Sequence, residues 1–170
     1  MEFKKYIRDI NDFPKQGIVF KDITPLLNNA KVLEQATNAL YNLIKDKKID
    51  KVVGLESRGF FFAPLLASKL NAGFIPIRKP GKLPSEVLSK SYALEYGSDI
   101  LEIHTDSIVP GERILLHDDV LATGGTAKTA CELITALGGE IVQCNFLIEL
   151  DFLNGREKIA EFNIESLLHY

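Results

Sequence analysis

Cysteine and histidine are scarce in this chain of 170 residues, and charge of one sign is in only slight excess. The two cysteines, Cys131 and Cys144, fall in apolar patterns and read as buried reduced thiols rather than a disulfide. The three histidines, His104, His117 and His169, stand in no cluster with metal-ligand spacing. No Ser/His/Asp or Cys/His constellation is present either, which leaves no case for a nucleophilic hydrolase. A net charge of −3 gives no electrostatic reason to bind nucleic acid or an anionic membrane. No apolar run is long enough to span a bilayer, and Met1 to Arg8 is too short and too charged for a secretory leader. The expectation is a cytoplasmic protein. Repeats and low-complexity tracts are missing as well.

What remains is ordinary globular material, 46% apolar and 25% charged. This length suits one domain with a core that needs no staples. Its organising stretch is Arg113 to Thr126, RILLHDDVLATGGT. An apolar run reaches two adjacent carboxylates, Asp118 and Asp119. A short spacer and Thr123-Gly124-Gly125-Thr126 follow, and then Ala130, Leu133, Ile134 and Leu137 repeat at helical spacing. That is strand, loop, helix. Glycines permit close backbone approach, and the first helical turn offers unpaired N–H groups and a favourable dipole to an anion. No Gly-Lys-Ser/Thr follows, so this is not a Walker loop. The aspartates would repel a phosphate but accept hydrogen bonds from sugar hydroxyls. The stretch therefore reads as a sugar-phosphate cradle.

The remainder of the chain supplies more strand ends. Residues before Asn29 are punctuated by Pro14, Gly17 and Pro25; a first helix to about Ile10 and then a loop with a short strand are expected. Phe13 and Phe20 read as buried side chains or as ligand-stacking rings. Lys31 to Lys45 carries the apolar stripe of a helix. Lys51 to Leu55 is a strand ending at Glu56-Ser57-Arg58-Gly59, and Phe60 to Leu70 is a helix with Pro64 near its first turn. Phe74 to Arg78 is a third strand, closed by Arg78-Lys79. Pro80 to Val109 breaks the alternation: it is basic at Lys82 and Lys90 and folds back as a hairpin over Ser91 to Ile103, a candidate lid. Glu140 to Leu150 is another strand, and Ile164 to Tyr170 a mixed tail. Alternating strands and helices predict an α/β fold, a mostly parallel central sheet flanked by helices on both faces, with ligands outside the strands' carboxyl ends.

With those pieces placed, ILLHDDVLATGGT, GLESRGFFFAP, RKPGKLP, SYALEYGSDILEIHTDSI, FPKQGIVFKDITPLL and GREKIAEFNIESLLHY resemble the adenine phosphoribosyltransferase family along nearly the whole chain. The central motif alone resembles the wider type I phosphoribosyltransferases; RKPGKLP and LEYG point to the adenine branch. The resemblance implies the type I fold as a single domain over 1–170. It comprises a small N-terminal hood over 1–30, an α/β core over 31–150 with a flexible β-hairpin loop at 79–104, and a C-terminal tail over 151–170. It implies purine salvage: adenine and 5-phosphoribosyl-1-pyrophosphate give AMP and pyrophosphate in a Mg²⁺-dependent reaction, run by a homodimer.

Roles follow by matching position. Asp118 and Asp119 would hold the ribose hydroxyls, and Ala122, Thr123, Gly124, Gly125 and Thr126 the 5′-phosphate. Ser57, Arg58, Arg78, Lys79, Lys82 and Tyr96 would meet pyrophosphate. Glu95, Arg58 and Lys82 would be catalytic, with Glu95 handling the proton at the adenine ring. Val19, Phe20, Lys21 and Leu150 would bind adenine. Mg²⁺ would be held through pyrophosphate and ribose oxygens rather than by protein ligands. Two residues depart from the family pattern. His117 stands where a branched aliphatic is usual and is expected to pack as a neutral ring. Lys21 stands where some members have arginine, which keeps the charge and loses the bidentate fork. The alternatives are transfer to another purine and a non-catalytic sensor of phosphoribosyl pyrophosphate.

Overall fold

A computed structural model describes residues 2–93 and 98–170. By contact the chain divides into two compact units, Met1–Ala39 and Leu40–Tyr170.

In the first unit a turn of 3-10 helix, Phe3–Tyr6, precedes strand β1 (Arg8–Asn11). β1 pairs antiparallel with β2 (Val19–Asp22), setting Ile10 opposite Phe20. The expected helix to Ile10 is therefore only one turn long. Asp12 and Gly17 adopt positive φ, and the Gly17 N–H donates to Asp12 Oδ1 at 2.7 Å, folding the chain back into a hairpin. Pairing with β2 overrides the weak helical pattern. The short helix α1 (Thr24–Leu27) follows, with Asp22 accepting from both the N–H and the hydroxyl of Thr24. Helix α2 (Ala30–Asn42) buries Val32 and Ala36, as its stripe predicts.

The second unit is built on a five-stranded sheet, all parallel, in the order β4-β3-β7-β8-β9. Its strands are β3 (Lys51–Leu55), β4 (Gly73–Ile77), β7 (Arg113–Leu121), β8 (Glu140–Glu149) and β9 (Ile164–His169). Helix α3 (Ala63–Leu70) links β3 to β4, with Pro64 in its first turn; helix α4 (Gly125–Ala136) links β7 to β8. Successive strand residues face opposite sides. Val53 and Leu55 join the core cluster with Leu133 and Ile134 of α4. Gly54 faces the other way, where an added Cβ would stand 2.8 Å from that of Ala63 in α3. Both faces are thus covered, as a parallel sheet requires. The tail, IESLLH, is not a loose end: as β9 it forms the sheet's edge and pairs with β8 from Cys144↔Ile164 to Glu149↔His169. It shows no alternation to announce it.

The hairpin comprises β5 (Val87–Ala93) and β6 (Ser98–His104) and forms a separate two-stranded sheet. Leu101 and Ile103 are fully buried in the core cluster, so the body of the hairpin is fixed to the domain. Glu95 and Tyr96, the residues singled out at its tip, lie outside the described residues. Cys131 and Cys144 are buried free thiols with their sulfurs 3.7 Å apart.

Candidate functional site

Where β3 stops, β7 goes on. The β3–β7 ladder ends at Gly54↔His117, whereas β7 stays paired with β8 through Asp118↔Phe146, Val120↔Ile148 and Leu121↔Glu149. The sequence pattern ends this strand at the aspartates; in the structure they belong to it. They stand where one neighbour has fallen away, so the carboxylates border an opening while the backbone behind them remains bonded. The turn after β3 fills the foot of that opening. A Cβ on Gly59 would come within 3.0 Å of Asp118 Oδ1 and of the His117 carbonyl, so only a glycine lets this turn lie so close.

From that turn Arg58 reaches Asp119, donating from Nε and pairing through its terminal nitrogen with the same carboxylate oxygen. Asp118 Oδ1 accepts the Asp119 N–H at 2.9 Å. Burial pushes both carboxyls up. The neighbouring Asp119 charge raises Asp118 further, whereas Arg58 opposes the rise at Asp119. The pair ionises unequally: Asp119 carries the charge against Arg58, and Asp118 is the member that holds a proton more readily.

Beyond the aspartates, Asp118, Val120, Leu121, Ala122, Thr123, Gly124, Thr126 and Ala127 line one small cleft of about 70 Å³. At its base Gly124 adopts φ +78° and caps α4, and no side chain fills the cap. The first-turn N–H groups of a helix point at such a cap position and carry the positive end of its dipole. The loop owes its path to a contact that sequence does not reveal. Gly155 packs directly on it, so that a Cβ on Gly155 would overlap the Ala122 carbonyl and one on Gly124 would overlap the Gly155 carbonyl. In sequence, Asn154-Gly155 reads only as a turn.

A second, basic group gathers at the end of β4. Arg78 bridges the hairpin, its N–H and carbonyl both bonded to Glu102. Glu56 receives Arg78 at 3.4 Å, the Lys79 N–H at 2.8 Å, and the Lys82 ammonium. Lys79 Nζ pairs with Asp99. Tyr92 ties the two groups together. Its hydroxyl donates to Asp99 Oδ2 at 3.2 Å, and accepts from Lys79 Nζ at 3.4 Å and from the Thr126 hydroxyl at 3.3 Å. Glu56, Tyr92, Asp99 and Gly155 were given no role in the sequence reading. A carboxylate at a basic strand end is the available signal for Glu56; Asp99, near the start of β6, offers none. Ser57 is exposed beside Arg58, and Leu150 is half-buried just past β8.

In the first unit, Phe20 is half-buried and meets Phe13 edge to face with centroids 5.1 Å apart. Phe13 is 51% exposed, so of the two readings the buried one does not hold for it. Val19 is exposed, and Lys21 pairs with Asp9 at 2.8 Å.

His117 faces away from the cleft. It is fully buried, stands edge-on to Phe62, and holds Asn145 Oδ1 through Nδ1 at 2.7 Å. Asn145 in turn donates to the Leu40 carbonyl, which leaves its oxygen to accept and makes Nδ1 the protonated nitrogen. Burial lowers the ring's pKa to about 4, with Asn145 opposing. The expectation of a neutral packed ring holds.

The architecture and the cleft between the paired carboxylates and the glycine-containing loop define a class. The family described as phosphoribosyl transferase domain matches residues 22–161, and the chain belongs to it. Its relatives narrow the class. The adenine phosphoribosyltransferase of Flavobacterium johnsoniae is 63% identical over 170 residues, covering all of both chains. The crystal structure of adenine phosphoribosyltransferase from Thermoanaerobacter pseudethanolicus superimposes with TM-score 0.97 at 48% identity, covering 99% of this chain and 98% of that one. The Saccharomyces cerevisiae enzyme, complexed with an imino-altritol bisphosphate and adenine, superimposes with TM-score 0.92 at 41% identity over 98% and 96% of the two chains.

Proposed function

We infer that the protein transfers the phosphoribosyl group of 5-phosphoribosyl-1-pyrophosphate to adenine, giving AMP and pyrophosphate in purine salvage. The observation that carries this reading is the single cleft in which Asp118 meets the Ala122–Thr126 loop, with Arg58 and the Arg78–Lys82 group at the two neighbouring strand ends. A sugar phosphate fits the cleft, and a leaving pyrophosphate meets the cations.

In this reading the loop amides bind the 5′-phosphate and the aspartates accept the ribose hydroxyls. Cleavage of the bond from C1′ to pyrophosphate leaves an oxocarbenium-like sugar, and negative charge develops on the leaving group. Arg58, Arg78, Lys79 and Lys82 stabilise that charge, with Ser57 and Tyr96 on the same pyrophosphate. Removing one such preorganised partner typically costs roughly 10²–10³ in rate. Val19, Phe20, Lys21 and Leu150 bind the adenine, and Glu95 exchanges a proton with the ring, roles that follow the family pattern. The residues also fit Mg²⁺ carried in by the substrate. Asp119 is engaged by Arg58 and Asp118 by the Asp119 N–H, which suits hydroxyl binding and leaves the ion to substrate oxygens and water. When bound, the ion neutralises pyrophosphate charge. Family pattern further supports a cytoplasmic homodimer and the division into hood, core and tail.

The test compares nucleotide formation from phosphoribosyl pyrophosphate and Mg²⁺ with adenine, hypoxanthine and guanine side by side. AMP formation with adenine is expected to dominate. Reaction of another purine with no AMP from adenine would overturn the assignment.

A further inference from the structure

Glu56 sits in the turn after β3, yet its side chain is only 7% exposed. Its carboxylate gathers three donors from one short segment, the Arg78 guanidinium, the Lys79 N–H and the Lys82 ammonium. Burial alone would push its carboxyl up, but Lys82, the Lys79 N–H and Arg78 together outweigh this and hold it below the usual carboxylate value. The cations it holds are more open than the anchor: Arg78 is 34% and Lys82 47% exposed. A guanidinium has five N–H donors and an ammonium three, so each can keep one carboxylate behind it and meet an anion in front. Of the segment's other contacts, Arg78 Nη1 donates to the Lys82 carbonyl at 3.3 Å, Lys79 Nζ pairs with Asp99, the Gly81 N–H donates to Glu102 Oε2 at 3.0 Å, and the Arg78 backbone pairs with that of Glu102. Among the described residues, Glu56 is the carboxylate that both cation side chains share.

We propose that Glu56 is the positioning residue of the pyrophosphate site: a buried carboxylate that gathers Arg78 and Lys82 and fixes the Lys79 backbone, so that the two cations face the leaving group already in place. The proposal rests on the reading that these cations bind pyrophosphate. Without Glu56, two long side chains must be ordered by the substrate itself, and that ordering is drawn from binding. The effect falls on the pyrophosphate end of the donor and spares adenine.

Steady-state kinetics on Glu56→Ala, Glu56→Asp and Lys82→Ala test this, with pyrophosphate product inhibition and thermal melting alongside. Glu56→Ala is expected to raise KM for phosphoribosyl pyrophosphate and the pyrophosphate inhibition constant about tenfold, leaving KM for adenine within twofold. Glu56→Asp is expected to restore most of that loss. A Glu56→Ala enzyme that melts like the parent and binds the donor equally well or better would overturn the proposal, as would a rise in both KM values in parallel. Lys82→Ala separates the two levels. If it leaves donor KM and pyrophosphate inhibition unchanged, the cation reading itself fails; if it weakens both while Glu56→Ala does not, only the positioning role fails.

Discussion

On the proposed reading, the two ends of the donor meet opposite solutions to the problem of holding phosphate. Around Gly124 the protein uses backbone: a left-handed glycine, a helix start, and a second glycine pressed against the loop, with no cationic side chain among the described residues lining the cleft. Around Glu56 it uses side chains: Arg78 and Lys82 on one carboxylate, Lys79 on Asp99, and Arg58 on Asp119. On that reading the difference follows from what each phosphate does. The 5′-phosphate stays on the sugar throughout, so a rigid amide cradle serves it, and uniform binding there lowers KM without raising kcat. Pyrophosphate leaves and gains charge as it does so, and full charges held in place are stabilising where charge develops.

The largest expected effect therefore comes from the quiet side. Gly155→Ala adds a methyl that overlaps the Ala122 carbonyl and must push the Ala122–Gly124 loop out of place. A fall of about 100-fold in kcat/KM for phosphoribosyl pyrophosphate is expected, equal to losing one well-placed donor. Binding of ribose 5-phosphate should weaken alongside it, and binding of pyrophosphate alone should not. If both ligands weakened equally, the two ends would not be independent.

Asp119→Asn comes next and probes the border between them. It removes the charge facing Arg58 and a hydrogen-bond acceptor for the sugar. Hydrogen bonds to charged groups are worth about 1.5–3 kcal/mol, so donor affinity is expected to fall roughly 10- to 100-fold. Unchanged affinity by calorimetry would contradict the sugar clamp.

This contrast also explains what could be read from the sequence and what could not. Residues contiguous in the chain were legible: the DD–TGGT–helix order, the Glu56–Gly59 turn and Arg78-Lys79 at a strand end stand where pattern and motif put them, although β7 runs on through the aspartates to Leu121. Contacts across the chain were not. Gly155 lies 31 residues beyond Gly124 and carries no side-chain signal. Glu56 meets Lys82 only because β3 and β4 are neighbours in register. The first strand and β9 were missed for a related reason, since short edge strands owe their form to a partner rather than to their own periodicity.

Tyr92→Phe tests whether the two halves communicate. The Tyr92 hydroxyl joins Thr126 of the phosphate side to Lys79 and Asp99 of the basic side. The bonds are long, and a neutral hydrogen bond contributes about 1 kcal/mol net, so donor KM is expected to rise no more than about fivefold. A double-mutant cycle with Lys79→Ala should show coupling; strict additivity would make the two halves separate sites that merely share a substrate.

His117→Leu should touch neither half. The ring lies on the far face of the sheet, bonded to Asn145, so turnover at neutral pH is expected to stay within about twofold. Its signature is in acid. The folded ring has its pKa lowered to about 4 from 6.5, so below 6.5 the unfolded chain takes up the proton and the folded protein does not. Stability contributed by the neutral ring is full above that value and is lost as pH falls, down to about 4. At 1.36 kcal/mol per unit the span amounts to roughly 3 kcal/mol. The raised carboxyls Asp118 and Asp119 act in the opposite direction, since the folded state protonates them first. Only the difference between parent and variant isolates the histidine. Urea unfolding at pH 7 and at pH 4.5 should therefore show a steeper loss in the parent than in His117→Leu. Equal slopes would mean that the ring titrates normally, and that the strand carrying the aspartates is open to water on the face where it is packed here against Phe62.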